Sequence, residues 1–283
     1  MEATRRPLTA SDRGFSMVEM LVTLTVMALM LVVMYGTFFG AQKAFMRTSK
    51  ISESRLATRA AVQLMERDVR MAGSGWGPLL INTASGGGNS SYYAVNSGYR
   101  AAGNDSFSIV GSWGASTTLR AAMATSSSTI NCQSTTGFAT NDLVLISNGN
   151  QVHLFQATGV GASPADIAHA TTSNWNNGGH ANWPSGGFKI GADVYKVSFV
   201  TYRVDSVNFR KRSVVRQEVG GTPQLICYNV KDMTVWYQLQ DGSWTRNPAD
   251  PKTIDKVVPV VHTFVGTPAR LDSAWAAIHP RTY

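Results

Sequence analysis

An uncharged apolar run near the N-terminus constrains this chain more than any other feature. Residues 20–42 contain no Asp, Glu, Lys or Arg. A helix rises about 1.5 Å per residue, so the run is long enough to cross a bilayer core about 30 Å thick. Glu19 stands at the head of the run, where a charge near the hydrocarbon costs about 2.5–3.5 kcal/mol. We therefore expect a membrane-spanning helix in which Glu19 has a functional role.

The apolar run does not end as a cleaved secretory signal does. Such signals place small residues at a cleavage site that follows the apolar region. Here the run passes through Gly36 and Gly40 into Lys43, Phe45 and Arg47 without an Ala-x-Ala pattern. The sequence therefore predicts that this helix stays on the mature protein.

The residues around Gly14 resemble the prepilin signal of type IV pilins and type II secretion pseudopilins. They read Gly14-Phe15-Ser16-Met17-Val18-Glu19. In that family a membrane peptidase cleaves between the Gly and the Phe on the cytoplasmic side and methylates the new N-terminal amine. The resemblance implies a leader of residues 1–14, cleavage between Gly14 and Phe15, and N-methylation of Phe15.

The same resemblance implies an assembly role for Glu19. In the family, this Glu is thought to neutralise the N-terminal amine of the preceding filament subunit, which relieves the cost of a lone charge in an apolar medium. An amine on Phe15 would be four residues away, within reach along one helix or from a neighbouring helix. The alternative is a Glu that extends to the lipid headgroups. The Lys and Arg counts flanking the helix do not predict a cytoplasmic N-terminus, so that placement follows from the resemblance.

Helical periodicity continues beyond the apolar run. Ile51, Val62, Met65 and Val69 share one helix face, which predicts packing against a sheet. Glycines from residue 73 onward and a proline at residue 78 predict the end of the helix. The preceding segment, residues 66–73, resembles the helix end of large minor pilins of the PilW type and of GspJ-like minor pseudopilins.

Residues 73–283 are predicted to form a β-rich domain. Alternating apolar residues predict strands at 92–95, 106–111, 142–147, 151–156, 194–204, 213–219, 225–229, 234–240 and 257–265. Asn148-Gly149 predicts a type I′ hairpin turn. Residues 159–191 are predicted to be a long loop, whose two Trp residues either form a contact surface or fix the loop to the body. The tail after Gly266 has no assignment.

These elements predict an α+β fold with three segments. Residues 1–14 are the leader, and residues 15–72 form one long N-terminal helix. The C-terminal half of that helix packs on the antiparallel sheet of an extracytoplasmic domain, residues 73–283.

The two cysteines, Cys132 and Cys227, both lie in the distal domain. Outside the cytoplasm a disulfide between them is the expected pairing, and in the chain-entropy model it would stabilise the fold by about 4–5 kcal/mol. The alternative is two buried free thiols.

The formal net charge of +8 permits contact with polyanions. Arg210, Lys211, Arg212 and Arg216 are the best candidates for such a contact, and a solvated turn between strands is the alternative. Nucleic-acid binding is therefore a minor hypothesis.

The sequence contains no motif that predicts catalysis, a metal site or a cofactor site. A Gly-x-Ser-x-Gly elbow, a phosphate-binding loop and a His-Glu-x-x-His pair are absent, and the five histidines are scattered. Residues 241–250 lack the spacing of a calcium loop, which favours a plain turn. We expect a protein that is not an enzyme and has no cofactor or small-molecule substrate.

The resemblance implies a minor pilin that helps initiate a type IV pilus or forms its tip complex. Its partners would be other pilins through the N-terminal helix, the prepilin peptidase and the bacterial inner membrane. The domain would be periplasmic before the subunit enters a pilus or pseudopilus. The alternatives are a type II secretion minor pseudopilin and a pilus-tip module that binds DNA or a surface.

Overall fold

A computed structural model describes residues 15–77, 79–83, 90–179, 183–184, 186–209, 211–265 and 270–280. The chain divides into two compact units, Met1–Lys50 and Ile51–Tyr283. Helix α1 (Met17–Arg70) contributes to both units. The described part of the first unit consists of Phe15, Ser16 and α1 as far as Lys50.

The second unit contains the rest of α1 and, within the described residues, seventeen strands. The strands are β1 (Ile81–Thr83), β2 (Ser90–Tyr92), β3 (Val95–Gly98), β4 (Ser106–Gly111), β5 (Ser116–Thr118), β6 (Ile130–Asn131), β7 (Leu143–Ser147), β8 (Val152–Gln156), β9 (Gly159–Ala162), β10 (Ala165–Ala168), β11 (Asp193–Asp205), β12 (Ser213–Glu218), β13 (Gln224–Tyr228), β14 (Val230–Leu239), β15 (Trp244–Thr245), β16 (Ile254–Val265) and β17 (Arg270–Trp275). The predicted α+β class is confirmed.

The described strands form three sheets, which are antiparallel except for the pairing of β1 with β8. The largest has ten strands, and β11 is its centre. The first part of β11 pairs with β7 and β5, and its second part pairs with β12 and β4. A three-stranded sheet has the order β6-β10-β9, and a four-stranded sheet has the order β15-β14-β16-β17.

The C-terminal part of α1 packs through one face on the strands of the second unit. Its buried residues recur every three or four positions, as one helix face requires. They are Ser54, Thr58, Ala61, Val62, Met65, Asp68 and Val69. The apolar members share a core with Tyr202, Val235 and Val261. The predicted helix face is therefore confirmed, although Ile51 at its start is only half-buried.

Close backbone contacts surround the end of α1. Gly73, three residues beyond the end of α1, has a φ of 73°, in the left-handed region that glycine favours, and its N–H donates to the carbonyl of Val110 at 3.0 Å. At Gly111, a Cβ would lie 2.9 Å from the Met71 carbonyl oxygen and 2.7 Å from the Trp113 ring. Only glycine lets this strand pass so close to the helix end.

Most predicted strands are present, but the hairpin turn differs from the prediction. Strands β7 and β8 pair from Ser147 opposite Val152, so the loop has four residues instead of two. Gly149 has a φ of 86°, while Asn148 does not adopt positive φ. The Asn148 side chain instead accepts the N–H of Gln151 at 2.8 Å. This side-chain bond stabilises the four-residue loop, which has one left-handed residue where a type I′ turn has two.

The segment predicted as a long loop is partly a sheet. It contains β9 and β10, whose Gly and Ala residues gave no strand signal. Its tryptophans pack inward: Trp183 is buried in a second hydrophobic cluster, and Trp175 lies against Tyr92 and Phe199. They fix the segment to the body, which was one of the two predicted alternatives. The unassigned tail contributes strand β17.

A buried ionic network joins α1 to the ten-stranded sheet. The Asp68 carboxylate accepts from the Tyr202 hydroxyl at 2.7 Å and from the Arg216 guanidinium at 2.8 Å. Arg216 also bonds Glu218 at 2.7 Å. Burial, reinforced by the neighbouring Asp68 carboxylate, raises the pKa of Tyr202 well above its usual range, so the phenol remains a donor. Both described partners of this buried carboxylate are on the sheet, so the network fixes where the helix lies on it.

Replacing Asp68 with Ala should destabilise the fold strongly, because it leaves the Arg216 charge and the Tyr202 hydroxyl without their buried acceptor. We expect a loss of about 3–5 kcal/mol in the free energy of unfolding, measured by denaturant titration of the full chain in detergent with near-ultraviolet circular dichroism. Tyr202→Phe, which removes one hydrogen bond, should cost about 1 kcal/mol.

The matched control is Arg55→Ala, which breaks the more exposed ion pair between α1 and Asp272. Such a pair contributes at most about 1 kcal/mol. If Asp68→Ala cost no more than Arg55→Ala, the network would not be a principal helix–sheet attachment.

Candidate functional site

The N-terminus of α1 is closed by a reciprocal pair of side-chain bonds. Phe15 and Ser16 precede the helix, which begins at Met17. The Ser16 hydroxyl accepts the Val18 N–H at 3.2 Å, and the Glu19 carboxylate accepts the Ser16 N–H at 3.2 Å. This is a capping box, in which the two residues satisfy backbone donors that the first helical turn leaves unpaired. The carboxylate of Glu19 is thus held at the residue next to Phe15.

The capping box was missed in the sequence, although its signal is present. Ser16 and Glu19 stand three residues apart before an apolar run, which is the spacing of the motif. Glu19 also benefits from its position, because the helix dipole favours a negative charge in the first turn. A structural role for Glu19 therefore exists alongside the predicted assembly role.

The helix beyond the cap presents an apolar surface that nothing in the described chain covers. Every residue from Phe15 to Lys50 is exposed, and the large side chains of Leu21, Leu29 and Val33 are each about two-thirds exposed. Soluble proteins rarely leave so large an apolar surface in water. By its length and composition, this helix could cross a membrane.

Four threonine hydroxyls of this helix are paired within it. The hydroxyls of Thr23, Thr25, Thr37 and Thr48 each donate to a backbone carbonyl three or four residues earlier. An unpaired hydroxyl would be costly in hydrocarbon, where water cannot replace the missing bond. The helix can therefore enter an apolar medium without leaving these hydroxyl donors unpaired.

The comparisons with known proteins identify the same N-terminal region. The family model of the prokaryotic N-terminal methylation motif matches residues 9–35. This chain carries that motif. No curated protein and no solved structure matches the chain significantly. The match and the long apolar helix support a type IV pilin-like protein, and they imply processing by the prepilin peptidase and assembly with other pilins.

The predicted cleavage site lies at the boundary of the described chain. Gly14 and the leader are outside the described residues. Phe15 is 82% exposed at the start of the described chain, and Glu19 is exposed one turn along the helix. Cleavage before Phe15, its N-methylation and the assembly role of Glu19 remain predictions.

The structure separates Arg216 from the other residues of the predicted polyanion contact. Lys211 and Arg212 are exposed between β11 and β12, and Arg210 lies outside the described residues. Arg216 instead lies mostly buried against Asp68 and Glu218. Burial alone would lower the pKa of Arg216, but its bonds to these carboxylates outweigh burial and raise it. This cation is already neutralised by the fold, which weakens the case for polyanion binding.

The predicted disulfide between Cys132 and Cys227 is not present. Both cysteines are free and buried, in two different hydrophobic clusters. Cys132 lies beside Ile130 and Phe138, whereas Cys227 lies 3.6 Å from the Thr58 hydroxyl of α1. Burial, with a smaller effect from Asp166, raises the pKa of the Cys132 thiol to about 11, so it remains protonated at neutral pH. The alternative of two buried free thiols is the one observed.

The described residues contain no group of three or more His, Cys, Asp or Glu side chains that could hold a metal ion. The segment considered for calcium, residues 241–250, begins in the turn between β14 and β15 and continues through β15. Asp241 accepts the N–H and the hydroxyl of Ser243 at 2.9 and 2.7 Å, and Gly242 has a φ of 83°. The Asp241 carboxylate therefore stabilises the turn itself.

Proposed function

We propose that this chain is a minor pilin that helps initiate assembly of a type IV pilus or forms part of its tip complex. The observation that carries the proposal is the exposed apolar part of α1, headed by Glu19 within a prokaryotic methylation motif. The prepilin peptidase would remove residues 1–14 and methylate Phe15. The helix would then anchor the subunit in the inner membrane, with a periplasmic domain, before it enters the filament.

The helix surface suits association with other helices. Gly36 and Gly40 lie one turn apart on the same face, and neither has any neighbouring side chain within 4 Å of an added Cβ. Small residues at this spacing let two helices approach closely in an apolar medium. Other pilins, through their own N-terminal helices, are therefore the partners that this surface fits.

Glu19 would couple processing to assembly. Its carboxylate is exposed and bonds only through one oxygen to Ser16 in the described structure, so it can also accept a bond from an ammonium group. Cleavage before Phe15 creates such a group. In a filament, Glu19 of an incoming subunit would pair with the amine of the subunit already present, which favours one axial register.

The size of the second unit favours a terminal position. It extends from Ile51 to Tyr283 and contains three sheets among its described residues. Subunits repeated along a filament must fit beside their neighbours at the spacing set by their helices, whereas a subunit at the end meets this restriction on one side only. The resemblance of residues 66–73 to PilW-type pilins supports the same position. Because that segment also resembles GspJ-like proteins, a type II secretion minor pseudopilin is the second candidate.

The first prediction concerns processing. The mature protein, purified from membranes, should lack residues 1–14 and begin with N-methylated Phe15, because the peptidase acts on the motif that spans this site. Intact-mass and N-terminal peptide measurements would check this. Detection of an intact leader in the assembled protein would contradict the proposal.

The second prediction separates the charge of Glu19 from its capping role. Glu19→Gln keeps the size of the side chain and an oxygen acceptor for the Ser16 N–H, but it removes the charge that would neutralise an amine. We expect normal membrane insertion and cleavage but a loss of about tenfold or more in incorporation into filaments. Sheared filaments and membranes can be quantified by immunoblotting.

Ser16→Ala is the matched control, because it removes the hydroxyl cap and leaves the carboxylate. It should cost about 1 kcal/mol of helix stability and leave incorporation nearly unchanged. Equal defects in both variants would show that Glu19 acts through helix capping alone.

Deletion of the gene would distinguish a type IV pilus subunit from a type II secretion pseudopilin. Deletion of the encoding gene should reduce the number of surface pili while leaving the amounts of type II-secreted proteins unchanged, because a pilus-initiating subunit is needed only for pilus assembly. Electron microscopy and quantification of the culture supernatant would provide the two measurements. Lost secretion with normal pili would instead identify a pseudopilin.

A further inference from the structure

We propose that the outer face of the four-stranded sheet binds an extended, neutral polysaccharide chain through Trp244, Trp236 and Trp275. This inference goes beyond the assembly role and rests on different residues. It concerns only the second unit.

The strand register places the three tryptophans on the same face of the sheet. On β14, Met233, Val235 and Tyr237 point into the core, so Trp236 points outward. Trp244 is opposite Gln238, two residues from Trp236 along the same strand. Residues directly opposite each other in an antiparallel pair project to the same side. Trp244 therefore shares the outer face with Trp236.

Trp275 reaches this face through the neighbouring strand. It is opposite Val260 on β16, and Val260 is opposite Thr234 on β14. Thr234 is two residues from Trp236, on the side away from Gln238. The pairing is regular between Thr234 and Gln238, so no bulge reverses a side chain there.

The three residues form an approximately straight diagonal row. Adjacent strands are about 4.8 Å apart and two residues along a strand span about 6.7 Å. These spacings place the Cα atoms of Trp244 and Trp236 about 8 Å apart, and those of Trp236 and Trp275 about 12 Å apart. Such intervals are comparable to the two-sugar repeat of an extended β-1,4-linked polysaccharide. Rings at this spacing could stack on sugars along one chain.

The rings are unusually open to solvent for tryptophan. Trp244, Trp236 and Trp275 are 50%, 41% and 65% exposed. Val258, opposite Trp236 on β16, is 8% exposed. Tryptophan offers a large, rigid contact area and loses little conformational entropy on binding. Its face is apolar, which matches the C–H-bearing face of a pyranose ring.

The charges beside the row favour a neutral ligand. Lys256 donates to Gln238 at 2.8 Å and lies 4.0 Å from Asp255, and His262 contacts Asp232 at 2.6 Å. Binding of a nucleic acid depends on cations that neutralise its phosphates. On this described face the Lys256 ammonium already has an acidic neighbour, so a polyanion would gain little from it.

Polar residues accompany the tryptophans on this face. Thr234 and Gln238 are half-buried on the face, and Ser273 is exposed opposite His262. Val258 and Val260 of β16 lie on the same face between Trp236 and Trp275. Beside this apolar strip, the hydroxyl and amide groups can bond the hydroxyls of a sugar chain.

The test is a sedimentation assay with microcrystalline cellulose and with chitin. The full chain, purified in detergent, should bind at least one of these neutral β-1,4-linked polysaccharides, and binding should not fall as salt is raised. Trp236→Ala and Trp275→Ala should each weaken binding about tenfold, which corresponds to 1.4 kcal/mol. The triple Ala variant should abolish it, while Trp236→Phe, which keeps an aromatic ring, should retain most of it.

The control variant is Tyr228→Ala, which removes an exposed aromatic ring from β13 of another sheet. Near-ultraviolet circular dichroism of each variant verifies folding, and the single variants test the proposal if the triple variant does not fold. Failure of the wild-type chain to bind either polysaccharide, or an equal loss in Tyr228→Ala, would overturn the proposal. The proposal would also be overturned if the tryptophan variants lost capture of a second pilin chain but still bound the polysaccharide. The assay requires no pilus, so its outcome is independent of the assembly proposal.

Discussion

Helix α1 has to remain helical in two different surroundings, and this constraint governs the distribution of its side chains. From Phe15 to Lys50 every side chain is exposed, and the hydroxyls of residues such as Thr23 and Thr37 donate to backbone carbonyls of the same helix. From Ser54 onward, one face is buried against strands, and the Asp68 carboxylate on it bonds side chains of those strands. A continuous helix can meet both demands because its backbone hydrogen bonds are satisfied internally throughout.

The buried network around Asp68 is best understood as a device for specificity. Apolar residues such as Val62 and Met65 would pack acceptably at several helix rotations, whereas Asp68 finds the Tyr202 hydroxyl and the Arg216 guanidinium at only one. Asp68 belongs to residues 66–73, the segment that resembles minor pilin helix ends. That segment therefore has a physical role in positioning a helix on a sheet.

Local patterns predicted the elements of this fold well, but not the contacts between distant residues. Strand β4 has the predicted limits because its alternation is strong, whereas β9 and β10 consist of small residues with no periodic signal. Arg216 was grouped with its basic neighbours in sequence, yet its partner Asp68 is 148 residues away. The cysteine pairing failed for the same reason, since the two thiols lie in separate clusters. The motif at Phe15 and Glu19 was recognisable because all its residues are adjacent.

The tryptophan row illustrates how sheet register can create a surface that no linear motif encodes. Trp236, Trp244 and Trp275 come from three strands, and a shift of one residue in any of them would turn a ring toward the core. The inner face of this sheet packs in the core through Val235 and Tyr237. On the outer face the indoles lie beside Val258 and Val260, but packing on these valines does not require rings that stay 41–65% exposed, so the three indoles need another physical reason. Contact with a ligand outside the subunit supplies one, and a subunit at a filament tip would present such a face to its surroundings.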